Sequence, residues 1–127
     1  MTQSPGHRKF PDHRIVETRV PHRMQAIVNG EVVADSADVI RLEEDRHPVR
    51  FYFPRADVRM DRLERTQTAT ECPFKGTARY FSLKTAGHTL PDAVWTYEEP
   101  YDEMQGIKDR LAFYEDQFTQ IQVVAKA

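Results

Sequence analysis

The chain has 127 residues, 39% of them hydrophobic and 30% charged, a balance that suits one globular domain and excludes wholesale disorder. Its 18 Lys and Arg against 20 Asp and Glu leave a net charge of −2, so no overall positive field gathers nucleic acid or an anionic bilayer, and neither is expected as a partner. With a single cysteine, no signal-like apolar run near the amino terminus and no segment of membrane-spanning length, a cytoplasmic location follows by elimination.

Residues 1–22 are polar and interrupted by Pro5, Gly6, Pro11 and Pro21, the pattern of a flexible tail that settles onto the domain near Ile15 and Val16. Residues 23–127 are expected to form a single domain. In MQAIVNGEVVADS, Asn29-Gly30 separates two short apolar runs, which predicts a hairpin with a primed turn because both central residues must tolerate positive φ. A further strand is expected from Val39 to Glu43, followed by a charged loop from Glu44 to Pro48. Val49, Phe51 and Phe53 then alternate with Arg50 and Tyr52, putting three apolar side chains on one face of a strand and Tyr52 on the other. Pro54 ends that strand.

From Arg55 to Glu64 the spacing turns helical, with Arg55, Arg59, Arg62 and Arg65 along one face and only Val58 and Leu63 to bury, so a short helix is expected. A strand through Thr68 and Thr70 leads into a turn that holds Cys72, Pro73, Lys75 and Gly76. Thr77 to Leu83 leaves it, with Gly76 supplying the permissive backbone at the exit. After a polar turn at Thr85 to Thr89, Ala93 to Tyr97 is strand-like and contains the only tryptophan. At the carboxy end Tyr101, Met104, Ile107, Leu111, Tyr114 and Phe118 fall close to one helical face, which alone would draw a single long helix. Gly106 in its interior and the strand-like Ile121, Val123 and Val124 favour a short helix to about Lys108 followed by two strands. The expected fold is mainly β (or α+β), a small antiparallel domain of two sheets or an open barrel with two short helices.

The fragments NGEVVADS, FYFPRADV, ECPFKGTARYF, AVWTYEEP and LAFY follow one another from about Ala26 to Val124. In that order they resemble the landmarks of the domain of unknown function 427 family, which is sometimes given a nucleotidyltransferase-like name. The resemblance implies a small, mainly β domain. It also singles out the tyrosine, arginine, cysteine, lysine and tryptophan positions within those fragments. Nucleotidyl transfer would call for a Gly-Ser turn and clustered aspartates holding Mg²⁺. The chain has neither Gly-Ser nor Asp-x-Asp, so its residues do not support that name.

Cys72 lies three residues from Lys75, whose charge would favour a thiolate nucleophile or redox group. A free cysteine is as readily a small buried hydrophobe, and Pro73 gives Cys72 a shaping role by pushing it towards an extended conformation. Lys75 is the better functional candidate of the turn, able to present a cation to an anionic ligand, although a lysine in a turn more often points into solvent. Tyr52, Tyr80, Trp95 and Tyr97 are candidates to line a pocket, with Arg55 or Lys75 pairing with the ligand's charge. In the competing view these rings complete a second small core and Arg55 pairs with Asp57. Glu43, Glu44 and Asp45 read as the solvated acidic tip of a hairpin, and the arginine stripe as a face ion-paired with Asp57, Asp61 and Glu64. The five histidines lack metal-ligand spacing, so neither a metal nor another cofactor is expected. The expected function is a cytoplasmic domain binding a small anionic or aromatic ligand near strand ends. The alternatives are a small enzyme using Cys72, Lys75 or Asp57, or an interaction module whose exposed strands pair in a homodimer.

Overall fold

The computed structural model describes residues 4–85 and 87–126. It holds ten strands: β1 (Ile15–Arg19), β2 (Met24–Val28), β3 (Glu31–Ser36), β4 (Ile40–Glu44), β5 (Arg50–Tyr52), β6 (Leu63–Cys72), β7 (Gly76–Thr85), β8 (His88–Tyr97), β9 (Leu111–Phe113) and β10 (Ile121–Ala125). The domain is mainly β, as expected, but the strands form three antiparallel sheets rather than two, ordered β1-β4-β5, β10-β2-β3 and β6-β7-β8-β9. Phe53 joins the first sheet to the third, its N–H donating to Leu111 O at 2.8 Å and its carbonyl accepting from Leu111 N–H at 2.9 Å. The primed turn stands where Asn29-Gly30 requires it, with φ of 50° and 82° and Val28 opposite Glu31.

Strand alternation divides the interior in two. Phe53, Val94, Leu111 and Phe113 face an apolar core shared with Val28, Val33, Val39 and Leu83. Their neighbours Tyr52, Trp95 and Ala112 face the other way, into a second cluster with Leu42, Tyr80, Tyr97 and Ile107. These strands therefore contribute to both cores, with phenylalanines on the first side and the tyrosines and tryptophan on the second.

The helix expected from Arg55 to Glu64 is replaced by two single 3-10 turns, Arg55–Asp57 and Met60–Arg62, with β6 starting at Leu63. Val58 is extended and bridges Ala34, and Arg59 N–H donates to Val33 O at 2.7 Å. Sheet pairing thus takes the backbone groups that a helix would have used. The arginines are ion-paired, though with other partners than their sequence neighbours suggest: Arg62 reaches Glu31 at 2.7 Å, and Arg55 and Arg65 both meet Glu98. Only Arg59–Asp61, at 2.9 Å, is local.

The tail expected over residues 1–22 is also corrected, from Ser4 onward. Ser4 is buried and caps a short helix, α1 (Pro5–Lys9), accepting from His7 N–H at 3.1 Å. Gly6 N–H donates to Pro73 O at 2.8 Å, and β1 pairs with β4 over five residues. Prolines here set the path of a docked segment. At the other end a kinked pair of 3-10 turns, Asp102–Ile107, precedes β9 and β10, in agreement with a short helix followed by two strands. Among the described residues no helix is long and apolar enough to cross a membrane.

Candidate functional site

Four strands aim side chains at one place: Leu42 and Glu44 from β4, Arg50 and Tyr52 from β5 and Trp95 and Tyr97 from β8, each pair spaced i and i+2, together with Tyr80 from β7. Between them lies a cavity of about 240 Å³, closed further by Thr70, Cys72, Lys75 and Tyr114 and rimmed by His47 and Pro48. Six of the eight sequence candidates, Tyr52, Cys72, Lys75, Tyr80, Trp95 and Tyr97, are therefore together.

The aromatic wall is tied by hydrogen bonds and ring contacts. Trp95 Nε1–H donates to Tyr52 Oη at 3.1 Å, with the rings edge to face at 6.2 Å. Tyr114 lies 4.2 Å from Trp95 and nearly parallel to Tyr80 at 6.4 Å, while Tyr80 Oη and Thr70 Oγ1 are 2.9 Å apart. The Arg50 guanidinium sits over Trp95 and Tyr114 at 5.1 and 5.3 Å and is held from outside by a two-pronged contact with Asp116, at 2.8 and 3.2 Å. Burial pushes the phenols of Tyr52, Tyr97 and Tyr114 well above their ordinary range, so they stay protonated. The Tyr97 hydroxyl has no hydrogen bond to any described residue, although Tyr97 is only 6% exposed.

Lys75 sits opposite, in the turn between β6 and β7. Its ammonium, 7% exposed, pairs with Glu44, and Cys72 Sγ lies 3.9 Å from Nζ. The turn is fixed from behind, since Lys75 O accepts from Tyr101 N–H at 3.1 Å and Gly76 has φ of 118° against the Glu99–Tyr101 backbone. Glu44 is fully engaged: Lys75 meets Oε1, while His13 Nε2 approaches Oε2 at 2.9 Å and His47 Nε2 at 3.6 Å. Burial by itself would raise the Glu44 pKa, but the hydrogen bonds from Lys75 and His13 outweigh it and hold the carboxyl below its usual range. Of the solvated tip expected from Glu43, Glu44 and Asp45, Glu43 and Asp45 are exposed, but the Glu44 carboxylate is buried.

Two candidates lie elsewhere. Arg55 donates from Nη2 to Thr96 Oγ1 at 3.2 Å and from Nε to Asp109 O at 3.1 Å, and its guanidinium lies over Phe81. Thr96 is on the face of β8 opposite Trp95 and Tyr97, so Arg50 occupies the position that Arg55 was expected to fill. Asp57 accepts from buried Ser36 Oγ–H at 2.6 Å, and neither residue lines the cavity. It does not pair with Arg55. Sequence reasoning also missed Tyr114 and His13, which no local pattern ties to the site. Arg50 did carry a signal, because it shares a strand face with Tyr52.

The family described as Domain of unknown function (DUF427) matches residues 16–124. The chain belongs to DUF427. That match takes in every residue lining the cavity, from Leu42 to Tyr114, and stops short of His13. No curated protein matches this DUF427 chain.

Proposed function

We propose that this DUF427 domain is a cytoplasmic module that binds a small planar ligand, anionic or aromatic, in the cavity bounded by Tyr52, Lys75, Tyr80 and Trp95. The observation that carries the proposal is a space of about 240 Å³ kept open among seven side chains that alternation drives inward, with a buried Lys75–Glu44 pair on its wall. Protein interiors close to crystal density when nothing else is required of them. A buried ion pair is often no more stable than a hydrophobic replacement of the same size, so retaining one beside an open space favours a role outside folding. The volume lies just under the range of roughly 300–1,000 Å³ for drug-sized sites and suits one or two rings.

The enzyme reading keeps only part of its residues in the cavity. Cys72 and Lys75 are neighbours there, 3.9 Å apart, whereas Asp57 lies away from it. Trp95 is the only tryptophan, so its fluorescence reports on the cavity alone. Titration with a panel of small aromatic and heteroaromatic compounds should give a saturable change in emission for a subset of them. If no compound gives one, and none shifts the NMR signals of Tyr52, Lys75 and Tyr80, the binding reading is wrong. Covalent use of Cys72 or Lys75 would appear as a mass adduct on the purified protein that Cys72→Ala or Lys75→Ala abolishes.

A further inference from the structure

We propose that the ligand is a one- or two-ring aromatic carboxylate, its oxyanion received by donors among Tyr97, Tyr52 and Lys75, which all line the cavity. This rests on the binding reading above and goes further by fixing the ligand's charge and polarity.

The argument is an inventory of donors and acceptors. Tyr97 is nine-tenths buried, lines the cavity and has a hydroxyl proton with no acceptor among the described residues. Tyr52 Oη accepts from Trp95 Nε1–H at 3.1 Å, which leaves its own proton free to donate. The Lys75 ammonium has three N–H bonds. One meets Glu44, and the sulfur of Cys72, at 3.9 Å, is a weak acceptor for another. Glu44 is the only carboxylate on the wall, and its oxygens already face Lys75, His13 and His47. Donors without a protein acceptor therefore face the cavity, and a ligand that displaces water from them without accepting their protons leaves them unpaired, at a cost in free energy. A ligand complementary to this wall has to bring an acceptor.

Two observations choose an anion over a neutral or cationic ring. Aromatic boxes of this kind suit cations, but here the place over Trp95 and Tyr114 is already taken by the Arg50 guanidinium. A cationic ligand would meet Arg50 and Lys75 at once. Lining charges are Arg50 and Lys75 against Glu44, because the aspartate that holds Arg50 lies outside the cavity. An anionic oxygen is thus drawn in by charge and satisfied by hydrogen bonds, while the ring fills the apolar remainder.

The test compares benzoate, benzyl alcohol and benzylamine, which share a ring and differ in charge, with 2-naphthoate as the two-ring case, each titrated into the millimolar range against Trp95 fluorescence and amide NMR shifts. Benzoate or naphthoate should bind at least about tenfold more tightly than the alcohol, the difference of one charge-assisted hydrogen bond, and benzylamine should not saturate. Tyr97→Phe should weaken the carboxylate by about tenfold without lowering the melting temperature, since it removes a hydroxyl that has no hydrogen bond to a described residue. Equal binding of all three compounds, or tighter binding of benzylamine, overturns the carboxylate proposal and leaves the binding site itself standing. So does unchanged benzoate affinity in Tyr97→Phe. If none of the four compounds binds while another ring compound shifts Trp95, the carboxylate is likewise refuted and the site is not. Silence towards every compound from both Trp95 and the NMR signals of Tyr52, Lys75 and Tyr80 refutes both.

Discussion

Replacing Lys75 with Met tests whether the ion pair under the cavity is as enclosed as its geometry indicates. The side chains of Lys75 and Glu44 are 9% and 6% exposed. Removing one partner of a buried pair costs about 3–5 kcal/mol, most of it the penalty for leaving the other charge unpaired. Glu44 keeps His13 at 2.9 Å and His47 at 3.6 Å, which points to the lower end, about 3 kcal/mol. For a chain of this size that is a fall of about 12 °C in melting temperature. The double variant with Glu44→Gln should recover much of the loss, giving a coupling of about 2 kcal/mol.

The pH dependence of the same variant has a definite sign. In the unaltered protein the Glu44 pKa is depressed below its ordinary 4.5, because the hydrogen bonds from Lys75 and His13 prevail over burial. Its contribution is therefore present above pH 4.5 and lost as pH falls through the lower folded value. In Lys75→Met burial prevails, the folded pKa rises, and the variant's penalty is absent below the ordinary value and grows as pH increases. Thermal denaturation followed by far-ultraviolet circular dichroism should show the two proteins converging near about pH 4 and diverging towards about pH 7. A gap that is constant with pH, or a loss under about 1 kcal/mol as for a surface pair, would refute the reasoning.

Two substitutions probe the frame around the site. Gly76→Ala forces a side chain onto φ of 118° and puts its Cβ 3.3 Å from Glu99 O; it should cost about 2 kcal/mol and loosen the hold of Tyr101 on Lys75, whereas a melting temperature unchanged in calorimetry would show that the turn is not constrained. Glu17 has its pKa raised by burial, only partly countered by Arg110, and its Oε1 is buried without a hydrogen bond. A raised folded pKa means stability present below the ordinary 4.5 and lost as pH rises. Glu17→Gln should therefore stabilise by up to about 1 kcal/mol at neutral pH and by nothing in acid, and an equal effect at both pH values would contradict this account.

The elements readable in the sequence were those set by short-range chemistry. Asn29-Gly30 dictates its turn through the φ values that both residues tolerate, and the alternation in Val49–Phe53 sends Phe53 and Tyr52 to different cores. What failed was local reasoning about segments whose partners are distant. Helical spacing after Pro54 lost to the pairing of Val58 and Arg59 with β3, and the prolines before Ile15 suggested a tail because nothing nearby reveals that Pro73 accepts from Gly6. Glu44 looked solvated since its neighbours are charged; its burial depends on Lys75, 31 positions away.

The exchange of Arg55 for Arg50 shows how the rest of the site became legible. Both arginines flank Tyr52, and residue type does not separate them. Period two does, because Arg50 and Tyr52 are i and i+2 on one strand and must share a face, while Pro54 ends that strand before Arg55 and starts a 3-10 turn. Arg55 consequently reaches Thr96, on the opposite face of β8 from Trp95 and Tyr97. Applied to β4, β7 and β8, the same rule groups Leu42 with Glu44, Ala78 with Tyr80, and Trp95 with Tyr97. Alternation thus supplies seven of the side chains around the cavity once the strands are known, Ala78 packing in Tyr80's cluster without lining the cavity. The remaining step, that these four strand faces look at one another, depends on pairings such as Phe53 with Leu111, whose partners lie more than fifty residues apart.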